Sequence, residues 1–491
     1  MSKKHGLSAF IMGLALTASL AACGDTSGAA NSGAGRSSNG GSNDELWICV
    51  YDGGYGTQWL KDVGAEFTAA TGISVHYDAD TSLLDRIESA LRDGGDYDLY
   101  MSHGLNWQTY AANGWLASLD DVYSSPVEGF NGTFADRVIN GAGDFSKTIG
   151  KDNAEHYYKA CYTQGAGGFV YNMNMFEKNG WSVPKTYADL VNLCGTINAA
   201  GLKNALNKPV RPFAWSGRDR EYYWDYPLFE WWAQLAGVDK VETVHKYLGP
   251  TGQYSDGYEM YNPNTYYKEF MQAYDMWYDL IGNNSGNYCT NDYSATLSTA
   301  KAEFITGQAA MIPYAQWAKY ELEELNDGPL DFNIAMMPTP KATASSIDVN
   351  YRVGFGDSMI VPSNAVNVSA AKKFINFMAT EQACKTFVKD SRGAFLAFNY
   401  GDIDMSDIEK DDPYIKSVHQ KVNFTGISDA STNPITYRNI NCVMPWVLNK
   451  YYYKSCCSDP SNFTASKVGA EVYATAKENW ATWLRNASLS D

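Results

Sequence analysis

The sequence predicts an α/β protein in which a mostly parallel sheet carries helices on both faces, and three features near its start predict it. Residues 46–51, Leu-Trp-Ile-Cys-Val-Tyr, are continuously apolar and stop at Asp52-Gly53-Gly54, as a buried parallel strand does. Trp59, Val63, Phe67 and Ala70 then recur at helical spacing before Thr71-Gly72. Residues 73–77, Ile-Ser-Val-His-Tyr, alternate as a second strand and complete a β-α-β unit.

The pattern continues with helical periodicity over 83–91, a short strand over 97–101 and a helix over 107–116 that ends near Gly114. In such sheets ligands sit outside the carboxyl ends of the strands, which singles out the loops 52–55 and 102–107. A second set of elements lies at 168–173, 187–200 and 221–236. In the last, Trp224, Trp231 and Trp232 fall at helical spacing and read as core. Residues 302–311 pass from helix to strand, and the strand 332–336 ends at Met337-Pro338-Thr339-Pro340. Two prolines so close together suit a segment crossing between domains. Near the end, Val468, Val472, Trp480 and Trp483 share one face of an amphipathic helix.

Ahead of this body, Lys3 and Lys4 precede an apolar run over 7–22 that is too short to span a bilayer and has the layout of a secretion signal. It ends in Leu20-Ala21-Ala22-Cys23, which resembles the bacterial lipobox and so implies a diacylglycerol on Cys23. Residues 24–43 are almost entirely Gly, Ser, Ala and Asn, a composition too poor in apolar surface to fold. Such a tether reaches about 25 Å. The expected address is the outer face of the cell membrane, held by lipid alone.

The formal charge of −17 argues against nucleic acid as a partner, because phosphate binding needs a dense Lys/Arg surface. Aromatic residues make up 14% of the chain, enough to line a surface for apolar or sugar faces as well as a core. Eight of the nine cysteines lie beyond Cys23; they suit disulfides or buried thiols equally and lack zinc-type spacing. The chain has no Gly-x-Ser-x-Gly, no His-Glu-x-x-His and no phosphate loop, and its six histidines are scattered. No cofactor, metal or catalytic group is expected.

Several motifs resemble the family 1 extracellular solute-binding proteins of ABC importers, the group that includes maltose-binding protein. They are Glu66-Phe67-Thr68 with Thr71-Gly72-Ile73, then Asp98-Leu99-Tyr100, and Gly114-Trp115-Leu116 with Leu119-Asp120. Further along come Tyr171-Asn172-Met173, Val183-Pro184-Lys185-Thr186-Tyr187, and Phe304-Ile305-Thr306-Gly307-Gln308 with Trp317 following, and then the stretch 370–377. The resemblance implies a two-lobed clamp, each lobe a mostly parallel sheet flanked by helices. It places the N-terminal lobe at 44–163 and 341–390 and the C-terminal lobe at 164–340 and 391–491. The three crossings are expected near 161–164, 336–341 and 389–393.

What the resemblance implies for function is capture of a carbohydrate, expected to be an oligosaccharide, by lobe closure and delivery to ABC transporter permease subunits. The receptor is expected to act as a monomer and to do no covalent chemistry. Carried onto this chain, the first lobe's contacts are Asp52 and Tyr55, then His103, Asn106 and Trp107. Phe355 and Asp357 are on its returning segment. The second lobe offers Gln164, Trp215, Arg218 and Trp317, with Arg392 at the last crossing. Trp107 and Trp317 stand out as platforms for a pyranose face. Two rival readings are a ferric-ion receptor of the same fold, with phenolates from Tyr222-Tyr223 or Tyr266-Tyr267, and a secreted glycosidase with paired carboxylates. The segment 237–291 is longer than the resemblance leads one to expect, and the tail after 400 matches nothing specific.

Overall fold

In the computed structural model, which describes residues 44–139, 142–163, 165–215, 223–290, 295–353, 357–422, 426–428, 432–439 and 455–489, the opening β-α-β unit forms as its pattern predicts. Strand β1 (Glu45–Val50) buries Leu46, Ile48, Cys49 and Val50. It pairs in parallel with β2 (Ser74–Ala79) on one side and β3 (Leu99–Ser102) on the other. The connecting helix Gln58–Thr71 buries Trp59, Val63 and Phe67 and stops at Gly72, whose φ of 77° lets its N–H turn back to the Thr68 carbonyl.

After a small hairpin of β4 (Lys147–Ile149) and β5 (Glu155–Tyr157), the first sheet is completed by β6 (Ala160–Cys161) and by a strand from far along the chain. The second sheet contains β7 (Gly167–Asn172), β8 (Arg211–Phe213), β9 (Ala309–Ala315) and β10 (Ile334–Met337), in the order β10-β7-β9-β8. A short β11 (Tyr351–Val353) pairs with β13 (Gly426–Ser428), and β12 (Ser358–Ile360) returns to the first sheet to give the order β2-β1-β3-β12-β6.

The pairing is more mixed than the sequence predicts. β12 runs antiparallel to both β3 and β6, and β7 runs antiparallel to both β9 and β10. The cause is topological: a strand entered from the other lobe starts at the inter-lobe edge, whereas strands built by β-α-β units end there. Thus Ser358 faces Ser102, and Gly167 faces Ala315. The ends of β1, β3, β9 and β10 and the starts of β7 and β12 converge on one cleft.

Beyond β10 the chain stays on the second lobe: Lys341 bridges to Thr186, the Trp231 indole donates to the Pro340 carbonyl at 2.9 Å, and Tyr351 joins the second-lobe core. Ser358 and Ile360 of β12 pair with Ser102 and Tyr100 in the first sheet. At the expected third crossing, Arg392 (φ 58°) and Gly393 (φ 117°) turn the chain back along the first lobe, where Leu396 bridges to Thr163 and Phe398 to Val138. Further on, the helix Pro413–Lys421 packs against β10, with the Ser417 hydroxyl accepting from the Met336 N–H.

Trp224, Trp231 and Trp232 are fully buried, as their spacing predicts. The long segment 237–291 supplies the helices Val238–His245 and Lys268–Trp277 to that core. The terminal helix Ala465–Ala487 closes it with Val468, Val472, Trp480 and Trp483, and the Trp480 indole donates to the Tyr254 carbonyl at 2.6 Å. A buried ion pair, Lys421 with Glu230, joins the 413–421 helix to the helix Asp225–Ala236, and the Thr339 hydroxyl accepts from the same ammonium at 2.9 Å. Burial raises the Glu230 carboxyl, and Lys421 opposes that rise. The seven described cysteines are free thiols, six of them buried.

Candidate ligand site between the lobes

The loop that follows β1 makes the first lobe's reach into the cleft. Gly54 and Gly56 bring its backbone against the second lobe so closely that a β-carbon on Gly54 would lie 2.6 Å from Trp317 Cδ1 and from Glu321 Oε1. One on Gly56 (φ 61°) would lie 2.2 Å from the Tyr320 hydroxyl. Between them Tyr55 sets its ring edge-on to Trp317, with centroids 5.5 Å apart, and also meets Phe387. Burial holds the Tyr55 phenol well above its ordinary range, and the Asp357 carboxylate adds to the rise. Asp52 is exposed on the rim of this loop.

Deeper in, Asp357 begins the returning segment of the first lobe. Its N–H donates to Thr163 Oγ1 at 2.7 Å, and the Thr163 hydroxyl donates to Asp357 Oδ2 at 3.2 Å. His103, at the end of β3, lies 3.5 Å from Asp357 Oδ1 and packs edge-on against Tyr51. These side chains come from three strand ends, which fixes their mutual geometry.

The second lobe answers with an aromatic wall. The Trp317 indole donates to the Tyr223 hydroxyl at 3.1 Å, and Tyr223 packs on Tyr314 with centroids 4.4 Å apart. Tyr226 lies flat against Gly167, where a β-carbon would sit 2.4 Å from its ring. The Arg352 guanidinium stands 5.6 Å from the centroid of that ring and abuts Gly165. Asp225, beside Tyr226, has its carboxyl pushed up to about 6 by burial, against the pull of Arg352. Arg392 pairs with Glu323 at 2.8 Å and covers Tyr320, linking the last turn of the first lobe to the helix Ala318–Leu325.

Of the residues singled out from sequence, the structure brings Tyr55, His103, Asp357 and Trp317 together, with Asp52 and Arg392 on the rim. Asn106 instead accepts from the Thr109 hydroxyl at the start of the helix Trp107–Ala112. Trp107 is not a cleft platform. It is buried among Leu83, Ile87 and Tyr110 beneath the Lys159 ammonium, because the first helical position after the β3 loop turns its side chain into the lobe. Trp215 is likewise buried against Trp224 and Trp277, since β8 directs it into the second-lobe core. Gln164, Arg218, Phe355 and the lipid site Cys23 lie outside the described residues.

The sequence offered Tyr223 only as a phenolate of the ferric reading and did not single out Thr163, Asp225, Tyr226, Tyr320 or Arg352. Tyr223, Asp225 and Tyr226 stood within the aromatic run Tyr-Tyr-Trp-Asp-Tyr, where the tryptophan dominated the helix pattern. Arg352 carried a fainter signal: it precedes Gly-Phe-Gly-Asp by two residues.

A cleft lined from both sides by rings, carboxylates and a guanidinium can sandwich a small polar solute that has flat apolar faces. Among the described residues no group of three His, Cys, Asp or Glu side chains is placed to hold a metal ion. Tyr267 lies in the second-lobe core, stacked on Phe270, and burial raises its phenol, so it offers no phenolate to the cleft.

The sequence profile of bacterial extracellular solute-binding proteins matches residues 53–383. Over 399 residues the chain is 22% identical to the diacetylchitobiose binding protein NgcE of Streptomyces coelicolor, covering 73% of this chain and 72% of that protein. Its fold is similar to that of RafE from Streptococcus pneumoniae, with a TM-score of 0.60 at 16% identity over 89% of this chain and 99% of the other. It is also similar to the GacH receptor of Streptomyces glaucescens, with a TM-score of 0.59 at 14% identity over 89% and 98%. The chain belongs to the bacterial extracellular solute-binding proteins.

Proposed function

We propose that this protein captures a carbohydrate, an oligosaccharide in class, between its lobes and hands it to the permease subunits of an ABC importer. The observation that carries the reading is the composition of the cleft: tyrosine and tryptophan rings interleaved with Asp225, Asp357, His103 and Arg352, drawn from both lobes. Rings cover the apolar faces of pyranoses, and charged groups form directed hydrogen bonds to hydroxyls. Family membership supports importer delivery, and the sugar-binding relatives, among them NgcE and a chitin oligosaccharide binding protein, support the cargo class.

Capture works by differential affinity. A solute touching both lobes stabilises the closed form over the open one, and the transporter reads the closed form. The protein's own chemistry is binding alone. The lipobox-like Cys23 and the segment 24–43 support a lipid-anchored receptor at the outer membrane face, acting as a monomer. Among the described residues no helix is long and apolar enough to cross a membrane.

Titration calorimetry against chito-, malto-, xylo- and raffinose-series oligosaccharides tests the reading. Stoichiometric binding that survives chelator and yields no product is expected. Sugar release over hours would sink it in favour of a glycosidase, and a coloured ferric complex would favour a metal receptor.

A further inference from the structure

Resting on that solute-capture reading, we propose that Tyr223 is a positioning residue for it, holding Trp317 in the orientation onto which the first-lobe loop 53–56 closes. The first observation is backbone conformation. Tyr223 has φ of 72°, in the left-handed region that favours glycine and is costly for a bulky side chain. Among the described residues the other aromatic with positive φ is Tyr247 at 55°, which is fully buried beside Tyr261 and Trp480. Packing offsets the cost there. Tyr223 is only half-buried, at the edge of the second-lobe aromatic wall.

The second observation is what the strained backbone delivers. The Tyr223 hydroxyl accepts the Trp317 indole N–H at 3.1 Å, and its ring stands at 72° to the indole with centroids 5.7 Å apart. Behind it, Tyr314 at 4.4 Å and Tyr226 at 6.2 Å fix the phenol in place. Trp317 is in turn the residue that Gly54 and Tyr55 of the first lobe meet. A phenol that accepts a hydrogen bond from an indole limits its rotation about the terminal bond, so the closing loop finds a fixed surface instead of a mobile one. Strain at a position of this kind marks function in preference to stability.

The test compares wild type, Tyr223→Phe and Tyr223→Gly against the tightest-binding sugar of the panel above, with thermal unfolding of each ligand-free protein. Tyr223→Phe keeps the ring and loses the acceptor. It is expected to weaken binding about 3- to 10-fold, the factor for one hydrogen bond of ordinary strength, with little change in thermal midpoint. Tyr223→Gly relieves the backbone and removes the ring, and is expected to weaken binding at least about tenfold among molecules that remain folded. The emission of Trp317, isolated as the difference from Trp317→Phe, should shift in both variants without ligand. Affinity within twofold of wild type in both, or an unchanged Trp317 emission, overturns the assignment. Absence of binding by wild type to every sugar overturns the carbohydrate reading and this inference together, whereas binding indifferent to Tyr223 overturns the inference alone.

Discussion

Gly54 and Trp317 meet across the two lobes with no room for a side chain between them: a β-carbon on Gly54 would lie 2.6 Å from Trp317 Cδ1. Gly54→Ala should therefore hold the lobes apart while leaving each lobe folded, since the clash exists only on closure. Overpacking of this kind costs about 1–3 kcal/mol, so affinity should fall by roughly 5- to 150-fold. Calorimetry reads the affinity, and small-angle scattering reads the lost contraction on ligand addition.

Trp107 and Trp317 look alike in sequence but sit in different environments, and their alanine variants should separate. Trp107→Ala empties a packed site in the first lobe and should cost about 3–5 kcal/mol of stability. Trp317→Ala should instead weaken sugar binding by about 1–3 kcal/mol, the range of interface aromatics. Denaturant melts alongside calorimetry distinguish the two. Equal effects on affinity would mean that the core placement of Trp107 is not the one that governs function.

The buried pair of Lys421 and Glu230 predicts an asymmetry between single and double variants. Lys421→Met strands a buried carboxylate and should destabilise by about 3–5 kcal/mol. Adding Glu230→Leu should recover most of that loss, because two apolar groups of similar volume need no partner. Urea melts of the three proteins measure it.

His156 is held between Asp120 at 2.6 Å and Asp152 at 2.9 Å, and hydrogen bonds to these carboxylates raise its pKa. A raised histidine stabilises the fold fully below its unfolded value of about 6.5 and loses that contribution as pH rises through the folded value. His156→Gln should flatten this part of the stability profile, read as the difference between wild-type and variant thermal midpoints from pH 5 to 8.

Asp390 behaves in the opposite chemical sense but with the same slope. Burial and a hydrogen bond with Asp62 push its carboxyl up to about 6, so the folded state prefers the protonated form. Stability from this group is present at low pH and falls as pH rises from about 4 to 6. Asp225, also raised to about 6, adds to that slope, whereas His245, buried and lowered to about 3, works against it. Asp390→Asn should therefore change only part of the slope while raising stability at pH 7, which paired melts across that range measure.

The opening unit was legible because its information is local: apolar runs, a 3.6-residue recurrence and a glycine at the helix end all lie within thirty residues of one another. The pairing of the later strands was not. β11 is three residues long and takes its partner, β13, from about seventy residues further on, so nothing near Tyr351 signals which lobe it joins. After β10, Pro340 accepts from the Trp231 indole and Lys341 bridges to Thr186, contacts between residues more than a hundred positions apart. In the cleft, Tyr55 and His103 lie in loops that the strand-end rule singles out, whereas Asp357 was suggested by the family resemblance alone. Trp107 and Trp215 share residue type with a sugar platform, and only the direction of the side chain tells platform from core.

The terminal helix Ala465–Ala487 also sets the order in which the molecule can be made. Trp480 and Trp483 complete a core whose other walls come from residues spread from Phe169 to Cys456, and β12 completes a sheet begun by β1. The first lobe's sheet is complete only with β12, and the second lobe's core only with the terminal helix. During synthesis the tryptophan-rich core of the second lobe therefore lacks one wall until the terminal helix has emerged.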